Sequence, residues 1–203
     1  MNGNQATFDV TPQAEKRNRL TVGFRFILAL PHELLVGGPG FSFDTGAHQS
    51  NGVLGLVAGV AAFINWFIIV FKGRANADLI KLAEFYLRWR ARALAYESLL
   101  RDEYPPFGDG EYPVEATFPS VIEGRNRWTV GFRFILIIPQ AIVLFFVGIA
   151  WIITSIIGWF AVLFTGHYPD GLWKFAEGVM RWTLRVDSYW LLLHDEYPPF
   201  SLE

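Results

Sequence analysis

The chain has 203 residues, of which 52% are apolar and only 18% are charged. A soluble domain usually carries about 25% charged residues, so this composition argues against disorder, collagen and an ordinary soluble enzyme. The net charge of −2 gives no electrostatic reason to expect nucleic acid as a partner. Because the chain contains no cysteine, it has no disulfide, no thiol nucleophile and no thiolate metal site.

Two apolar stretches near the start predict a first transmembrane hairpin. Residues 20–36 form the first stretch, which is interrupted at Pro31, His32 and Glu33. Residues 53–71 form the second and contain no charged residue. The segment between them is rich in glycine and proline, which is typical of a loop.

A second hairpin is predicted between Phe134 and Pro169, where 36 consecutive residues lack Lys, Arg, Asp and Glu. As one helix they would extend about 54 Å at about 1.5 Å per residue, whereas the bilayer core is about 30 Å thick. We therefore expect two spans, at about 128–146 and 148–164, with a turn at Gly148. Pro139 is expected to kink the first of them.

The sequence is an internal duplication. Residues 17–28 recur as 125–136, and residues 102–107 recur as 195–200. The starts are offset by 108 residues and the ends by 93, so the first copy carries 15 extra residues, which fall in its hairpin loop. We divide the chain into an N-terminal segment (1–16), repeat 1 (17–107), a linker (108–124) and repeat 2 (125–203). The copies are expected to enter the membrane from the same side, as parallel rather than inverted repeats.

These motifs resemble an uncharacterised bacterial integral-membrane family, domain of unknown function 4389, present as two tandem copies. The resemblance covers nearly the whole chain. It is strongest at residues 164–171, 181–185 and 195–200, and weaker at residues 71–78 of the first copy. The resemblance implies a membrane protein and carries no known activity onto these residues.

Each hairpin is followed by a predicted amphipathic helix, at about 76–102 and 171–195. Lys81, Glu84, Arg88 and Arg92 share one stripe of the first helix. Lys174, Glu177, Arg181 and Arg185 repeat this stripe in the second helix. Basic amphipathic helices that contain tryptophan suit the headgroup boundary, so we expect both helices to lie on the cytoplasmic face. Glu84 with Arg88, and Glu177 with Arg181, are expected to form ion pairs one helical turn apart.

The end of each amphipathic helix carries an Asp-Glu pair where the helix dipole disfavours anions. Arg17 or Arg19 in repeat 1, and Arg125 or Arg127 in repeat 2, are candidates to compensate these charges. A solvated helix end is the alternative.

Arg25 and Arg133 lie near the inner ends of two predicted spans. Ionisable residues there are costly and mark candidate functional sites, although snorkelling toward lipid phosphates is the alternative. We expect each arginine to pair with a carboxylate on an amphipathic helix, Glu84 or Glu177, and so to dock that helix.

One polar cluster occurs in the first copy only. His32, Glu33, Asp44 and His48 are candidate ligands for a metal or another cofactor. Their spacing matches no known metal motif, so the alternative is a polar cluster that holds the loop. We expect no catalytic residue, no metal and no cofactor.

The sequence therefore predicts an all-α membrane protein of two tandem repeats, each a transmembrane hairpin followed by a cytoplasmic amphipathic helix. Because Lys and Arg lie outside the hairpin tips, both termini are expected in the cytoplasm, with the chain in the bacterial inner membrane. The expected function is a non-catalytic scaffold, anchor or accessory subunit, with the bilayer and a protein partner or second copy as partners. The alternative is a transporter, channel or lipid-handling protein with Arg25, Arg133, His32 and Glu33 along its path.

Overall fold

The computed structural model describes residues 5–13, 16–39 and 52–203. Helices dominate this part of the chain, with two short strands placed before the two repeats. In chain order the elements are β1 (Thr7–Val10), α1 (Arg19–Gly23), α2 (Arg25–Val36), α3 (Gly52–Lys72), α4 (Ala77–Glu97), β2 (Val114–Thr117), α5 (Arg127–Gly131), α6 (Arg133–Leu136), α7 (Ile138–Thr165) and α8 (Asp170–Trp190).

The same residue types begin and end corresponding helices in both repeats. The side chains of Asn18 and Asn126 accept hydrogen bonds from the N–H groups two and three residues further along the chain. This N-cap geometry satisfies donors that have no partner inside the helix. Gly73 and Gly166 follow the long apolar helices α3 and α7 with φ of +72° and +78°. Glycine adopts this left-handed conformation without the steric cost of a Cβ, so it ends both helices at the same place.

The second predicted hairpin does not form, because α7 runs through its expected turn. The helix continues from Ile138 to Thr165 and passes Gly148 without a break. A Cβ at Gly148 would meet nothing within 4 Å, so no close packing forces the chain to turn there. Pro139 lies in the first turn of α7, where its missing N–H removes no helical hydrogen bond. The interruption between α6 and α7 falls just before this proline.

The first repeat keeps two separate apolar helices where the second has one long one. α2 and α3 pack against each other, and most of the 15 extra residues fall in the segment 40–51, outside the described residues. The expected first span is divided at Phe24 into the short helices α1 and α2. Among the described residues, two helical stretches rather than four are long and apolar enough to cross a membrane, namely Gly52–Lys72 and Arg133–Thr165.

The two repeats interlock. The first helix of each repeat packs against the long apolar helix of the other, α1 against α7 and α5 against α3. Trp66 donates a hydrogen bond to the carbonyl of Val130 at 2.8 Å, and Trp159 donates to the carbonyl of Val22 at 2.9 Å. These equivalent tryptophans each bond to the opposite repeat, so neither repeat completes its packing alone.

The two strands are also related by the duplication, through a twofold axis. β1 pairs with β2 antiparallel, with Phe8 opposite Ala116 and Thr7 opposite Thr117. Phe8 and Ala116 are also separated by the 108 residues that relate the repeat starts. The ladder is therefore centred on a pair of equivalent residues, as expected when a twofold axis relates the copies.

The charged helices α4 and α8 form the middle of the molecule. They pack against each other, and α8 also packs against β1. Neither helix carries an exposed large apolar side chain. Their charged stripes are covered in part by other polar segments: Arg88 pairs with Asp109 at 3.2 Å and Arg181 pairs with Asp9 at 3.0 Å, whereas the lysine of each stripe is exposed. α4 and α8 thus form a packed central layer that leaves part of each charged stripe exposed.

Candidate functional site

Arg25 is buried at the carboxyl end of α4. Its guanidinium donates to the backbone carbonyls of Tyr96 and Arg101 at 3.1 and 2.7 Å. Its Nη2 atom lies 2.6 Å from Oδ1 of Asp102. The same group lies 4.0 Å from the centre of the Tyr96 ring. The arginine thus adds donors to carbonyls in and just after the last turn of α4, one of which also accepts the Leu99 N–H.

Arg133 makes the same set of contacts at the end of α8. It donates to the carbonyls of Tyr189 and His194, the latter at 3.0 Å. Its Nη2 atom lies 3.0 Å from Oδ1 of Asp195, and its guanidinium lies 3.7 Å from the centre of the Tyr189 ring. Both arginines are only 1% exposed. They point into the protein rather than snorkelling toward lipid phosphates.

The carboxylate partners of these arginines differ from the expected Glu84 and Glu177. α2 lies along the second half of α4, with Arg25 near Tyr96 and the end of α2 near Tyr86. The arginine therefore reaches the aspartate beyond the helix end rather than a glutamate near its start. Glu84 and Glu177 pair instead within their own helices, with Arg88 at 3.8 Å and with Arg181 at 3.3 Å.

Further arginines converge on the same aspartates. Arg17 lies 3.5 Å from Asp102, and Arg125 lies 2.7 Å from Asp195. Burial raises the pKa of Asp195, but hydrogen bonds from the Arg125 side chain and the Asn126 N–H outweigh this effect and leave it below its ordinary value. The remaining candidates lie elsewhere: the Arg19 side chain borders Gly166, and the Arg127 side chain borders Gly73. Of the four expected compensating arginines, Arg17 and Arg125 contact these carboxylates.

His32 and its equivalent in repeat 2, Gln140, each accept a hydrogen bond from a tryptophan at an equivalent position. Trp89 Nε1 donates to His32 Nδ1 at 3.1 Å, and the equivalent Trp182 Nε1 donates to Gln140 Oε1 at 2.8 Å. His32 also stacks on Phe107, with 4.6 Å between ring centres. Histidine and glutamine thus provide the same acceptor for a buried indole N–H.

The proposed polar cluster of repeat 1 is only partly described. Asp44 and His48 lie outside the described residues. Glu33 lines a cavity on one side of α2, whereas His32 packs against Trp89. Within residues 5–13, 16–39 and 52–203, no group of three or more His, Asp or Glu side chains is placed to hold a metal ion.

Exposed apolar side chains are concentrated on α1–α3 and α5–α7 and the residues that join them. Among the described residues, 35 large apolar side chains are exposed; 31 of them lie there, and the other four are Tyr104, Phe107, Tyr197 and Phe200. On α3 they include Val53, Val57, Val60, Ile64, Phe67 and Phe71. The opposite side of this helix buries Gly55, Ala58, Ala62, Asn65 and Ile69. We call the exposed side of α1–α3 and α5–α7 the apolar face.

A cavity of about 490 Å³ opens at the apolar face between α2 and α7, beside the end of α4. Apolar and aromatic side chains provide most of its lining, and Arg25, Glu33, Glu97 and Ser155 provide charged and polar groups. Pockets of this size with a few convergent polar groups are typical of small-molecule sites. The cavity contains two of the residues considered for a transport path, Arg25 and Glu33; Arg133 and His32 do not line it.

Glu97 was not identified as a site residue from the sequence. Both of its carboxylate oxygens are shielded from solvent and have no hydrogen-bond partner among the described residues. Burial, followed by the charge of Glu33, raises the pKa of Glu97 well above its ordinary value. The signal that could have revealed it was the duplication itself, because the equivalent residue in repeat 2 is Trp190.

Comparison with known proteins places the chain in a family but supplies no activity. The family model described as domain of unknown function (DUF4389) matches residues 51–108 and 127–201. No curated protein and no solved structure shows significant similarity to the chain. The first matched segment covers α3 and α4 of repeat 1, the second covers nearly all of repeat 2, and together they cover more than half of the chain. The chain therefore belongs to the DUF4389 family and contains two tandem copies of its domain.

Proposed function

We propose that this chain is an integral protein of the bacterial inner membrane that acts as a non-catalytic scaffold or anchor. The observation that carries the proposal is the apolar face. The largest apolar patch on a soluble monomer is usually about 300–600 Å². Twelve phenylalanine and tryptophan side chains are exposed on this face. At about 100 Å² for each half-exposed ring, six of them already reach the upper value.

The geometry supports embedding in one leaflet rather than crossing of the bilayer. α6 and α7 lie along α8 over its length, with Arg133 beside Tyr189 and Gln140 bonded to Trp182. If α7 crossed the bilayer, it would carry α8 and its charged stripe into the hydrocarbon, at a high energetic cost. The helical stretch Arg133–Thr165 also extends about 50 Å, which exceeds the bilayer core of about 30 Å.

Exposed basic residues support attachment to the cytoplasmic leaflet. Lys16, Arg19, Lys72, Arg74 and Arg127 are exposed near the ends of the apolar helices. Each such residue near an anionic surface contributes about 1 kcal/mol of attraction. In this arrangement both termini lie in the cytoplasm, as expected from the positive-inside rule. The strands, the linker and the charged stripes face the cytoplasm, where they offer a polar surface to a protein partner or to a second copy.

Membrane retention tests the proposal. Replacing Phe146 and Ile153, which are 64% and 55% exposed on α7, by glutamate should move the protein from the membrane pellet to the soluble fraction. The matched control places two glutamates at Thr7 and Ser120 on the polar side and should leave the protein in the pellet. Flotation of the purified variants with anionic vesicles separates loss of binding from loss of folding. Equal retention of both variants on vesicles would contradict the proposal.

A further inference from the structure

The cavity between α2 and α7 is built unlike its counterpart in the other repeat. We propose that it binds an amphiphile that carries a cationic ammonium head group on an apolar tail. This assignment goes beyond the anchoring function, and nothing in the family description suggests it. It rests on the shape of the cavity, on the charge of its lining and on the residues that change between the repeats.

The walls of the cavity suit an apolar tail that enters from the membrane. Phe26, Ile152, Ile156 and Phe160 line it and are also exposed on the apolar face. The mouth of the cavity therefore opens where lipid chains would lie. A volume of about 490 Å³ lies in the usual range for ligand pockets, about 300–1,000 Å³.

The inner end of the cavity suits a positive charge. Glu33 and Glu97 both line it, and the oxygens of Glu97 have no hydrogen-bond partner within the described part of the chain. Arg25 also borders the cavity and Arg90 lies close enough to act on Glu97, but each of these arginines already pairs with an aspartate, at 2.6 and 3.0 Å. The unbalanced charge is therefore negative. An ammonium group would supply the opposite charge that a buried carboxylate needs.

Aromatic rings and further polar atoms complete this end. Trp151 and Trp159 line the cavity, and indole rings are the best partners for cation–π contacts with ammonium groups. Trp151 Nε1 is buried without a hydrogen-bond partner among the described residues. It is free to donate to an oxygen that the ligand carries near its head. The combination of carboxylates and indole rings favours an ammonium head group over an anionic head group.

The corresponding corner of repeat 2 is apolar. In repeat 2 the position of Glu97 is occupied by Trp190, and that of Glu33 by Ala141. Trp190 packs against Phe134, with 5.4 Å between ring centres. On the facing helix, Trp151 is replaced by Ala58. The chain thus carries an apolar corner in repeat 2 and an acidic corner in repeat 1.

Binding of two matched probes to the full chain in nonionic detergent tests the inference. The probes are dodecyltrimethylammonium and the uncharged dodecanol, and tryptophan emission follows their binding. The ammonium probe should saturate one site and bind at least tenfold more tightly than the alcohol. Glu97→Gln should weaken its binding at least tenfold, and Glu97→Trp, the residue of repeat 2, should abolish it. Glu84→Gln, which changes a carboxylate remote from the cavity, should leave it unchanged.

Several results would overturn the inference: no saturable site, equal affinity for the two probes, or unchanged affinity in Glu97→Gln. Melting curves of each variant report folding, and Glu97→Gln carries the test if Glu97→Trp does not fold. Since the measurement is made in detergent, it does not depend on how the protein sits in a bilayer. Failure of the anchoring proposal would therefore show in the vesicle experiment and not in this one.

Discussion

The guanidinium of Arg133 lies 3.7 Å above the ring of Tyr189 and donates a hydrogen bond to the backbone carbonyl of the same residue. One side chain thus covers the last turn of α8 and also reaches Asp195 at 3.0 Å. Arg25 does the same for α4. These two contacts fix the central charged layer to the apolar layer, and each is made within one repeat.

Removing either arginine should destabilise the fold strongly. Arg133→Ala removes the side-chain donor to the His194 carbonyl and one of the two arginines paired with Asp195, so we expect a loss of about 2–3 kcal/mol, whereas Glu84→Ala should cost about 1 kcal/mol or less because Arg88 lies 3.8 Å away. Thermal unfolding in detergent measures both. The double variant Arg133→Ala with Asp195→Ala should cost less than the sum of the single changes. Additive, small losses would show that the buried pair contributes little. Arg127→Ala, at an exposed position, is the control.

His32→Gln should be tolerated, because repeat 2 uses glutamine at the equivalent position. The amide oxygen can accept the Trp89 N–H as Gln140 accepts that of Trp182. His32→Ala removes the acceptor and leaves a buried donor unpaired, which should cost about 1–3 kcal/mol. Unfolding midpoints of the two variants separate these outcomes. A larger loss in His32→Gln than in His32→Ala would contradict the structural role.

Stability should depend on pH through His194. Burial, followed by the charges of Arg133 and Arg125, lowers the pKa of His194 to about 4. The pKa of a histidine in the unfolded chain is about 6.5. Between about pH 4 and 6.5 the unfolded chain therefore binds a proton that the folded chain does not bind. Stability should therefore fall by up to about 3 kcal/mol as the pH drops from 6.5 to 4. In His194→Gln the free energy of unfolding should depend less on pH across this range. An unchanged pH dependence would contradict the assignment.

Glu97→Gln should stabilise the protein at neutral pH. The pKa of Glu97 is raised in the folded state, chiefly by burial and then by Glu33, while Arg90 acts in the opposite direction. As the pH rises above the pKa that Glu97 has in the unfolded chain, the carboxyl group ionises there before it ionises in the folded chain. Glu97 therefore lowers the stability of the folded state at neutral pH. The gain from glutamine should shrink as the pH falls toward 4, and Glu84→Gln serves as the control. A loss of stability in Glu97→Gln at pH 7 would show that Glu97 has a stabilising partner.

The duplication and the helix types could be predicted from the sequence, whereas the arrangement of the helices could not. Charge-free runs indicated α3 and α7, and the asparagine and glycine positions recur at helix ends. The turn at Gly148 was expected because a helix longer than the bilayer core has to fold back if it crosses the membrane. α7 instead continues straight past Gly148 and packs along α8, a contact that hydropathy does not encode.

The site was predicted in part. Arg25 and Arg133 were identified because an arginine in an apolar run is costly, but their aspartate partners depend on how the helices align. Glu97 was not predicted as a site residue because a single glutamate in an amphipathic helix is common and indicates no site. Its significance comes from burial of both oxygens without a hydrogen-bond partner among the described residues, which the packing of α2, α4 and α7 determines.

The depth of α7 in the bilayer tests the central claim most directly. Because the chain has no cysteine, spin labels can be placed singly at Ile138, Ile149 and Phe160, all exposed on the apolar face. A label at Glu115, on the exposed side of β2, reports the aqueous side. The account predicts similar depths for the three α7 labels, all within one leaflet and less than about 15 Å below its surface. A middle label at the bilayer centre, with Ile138 and Phe160 at opposite headgroup regions, would contradict it.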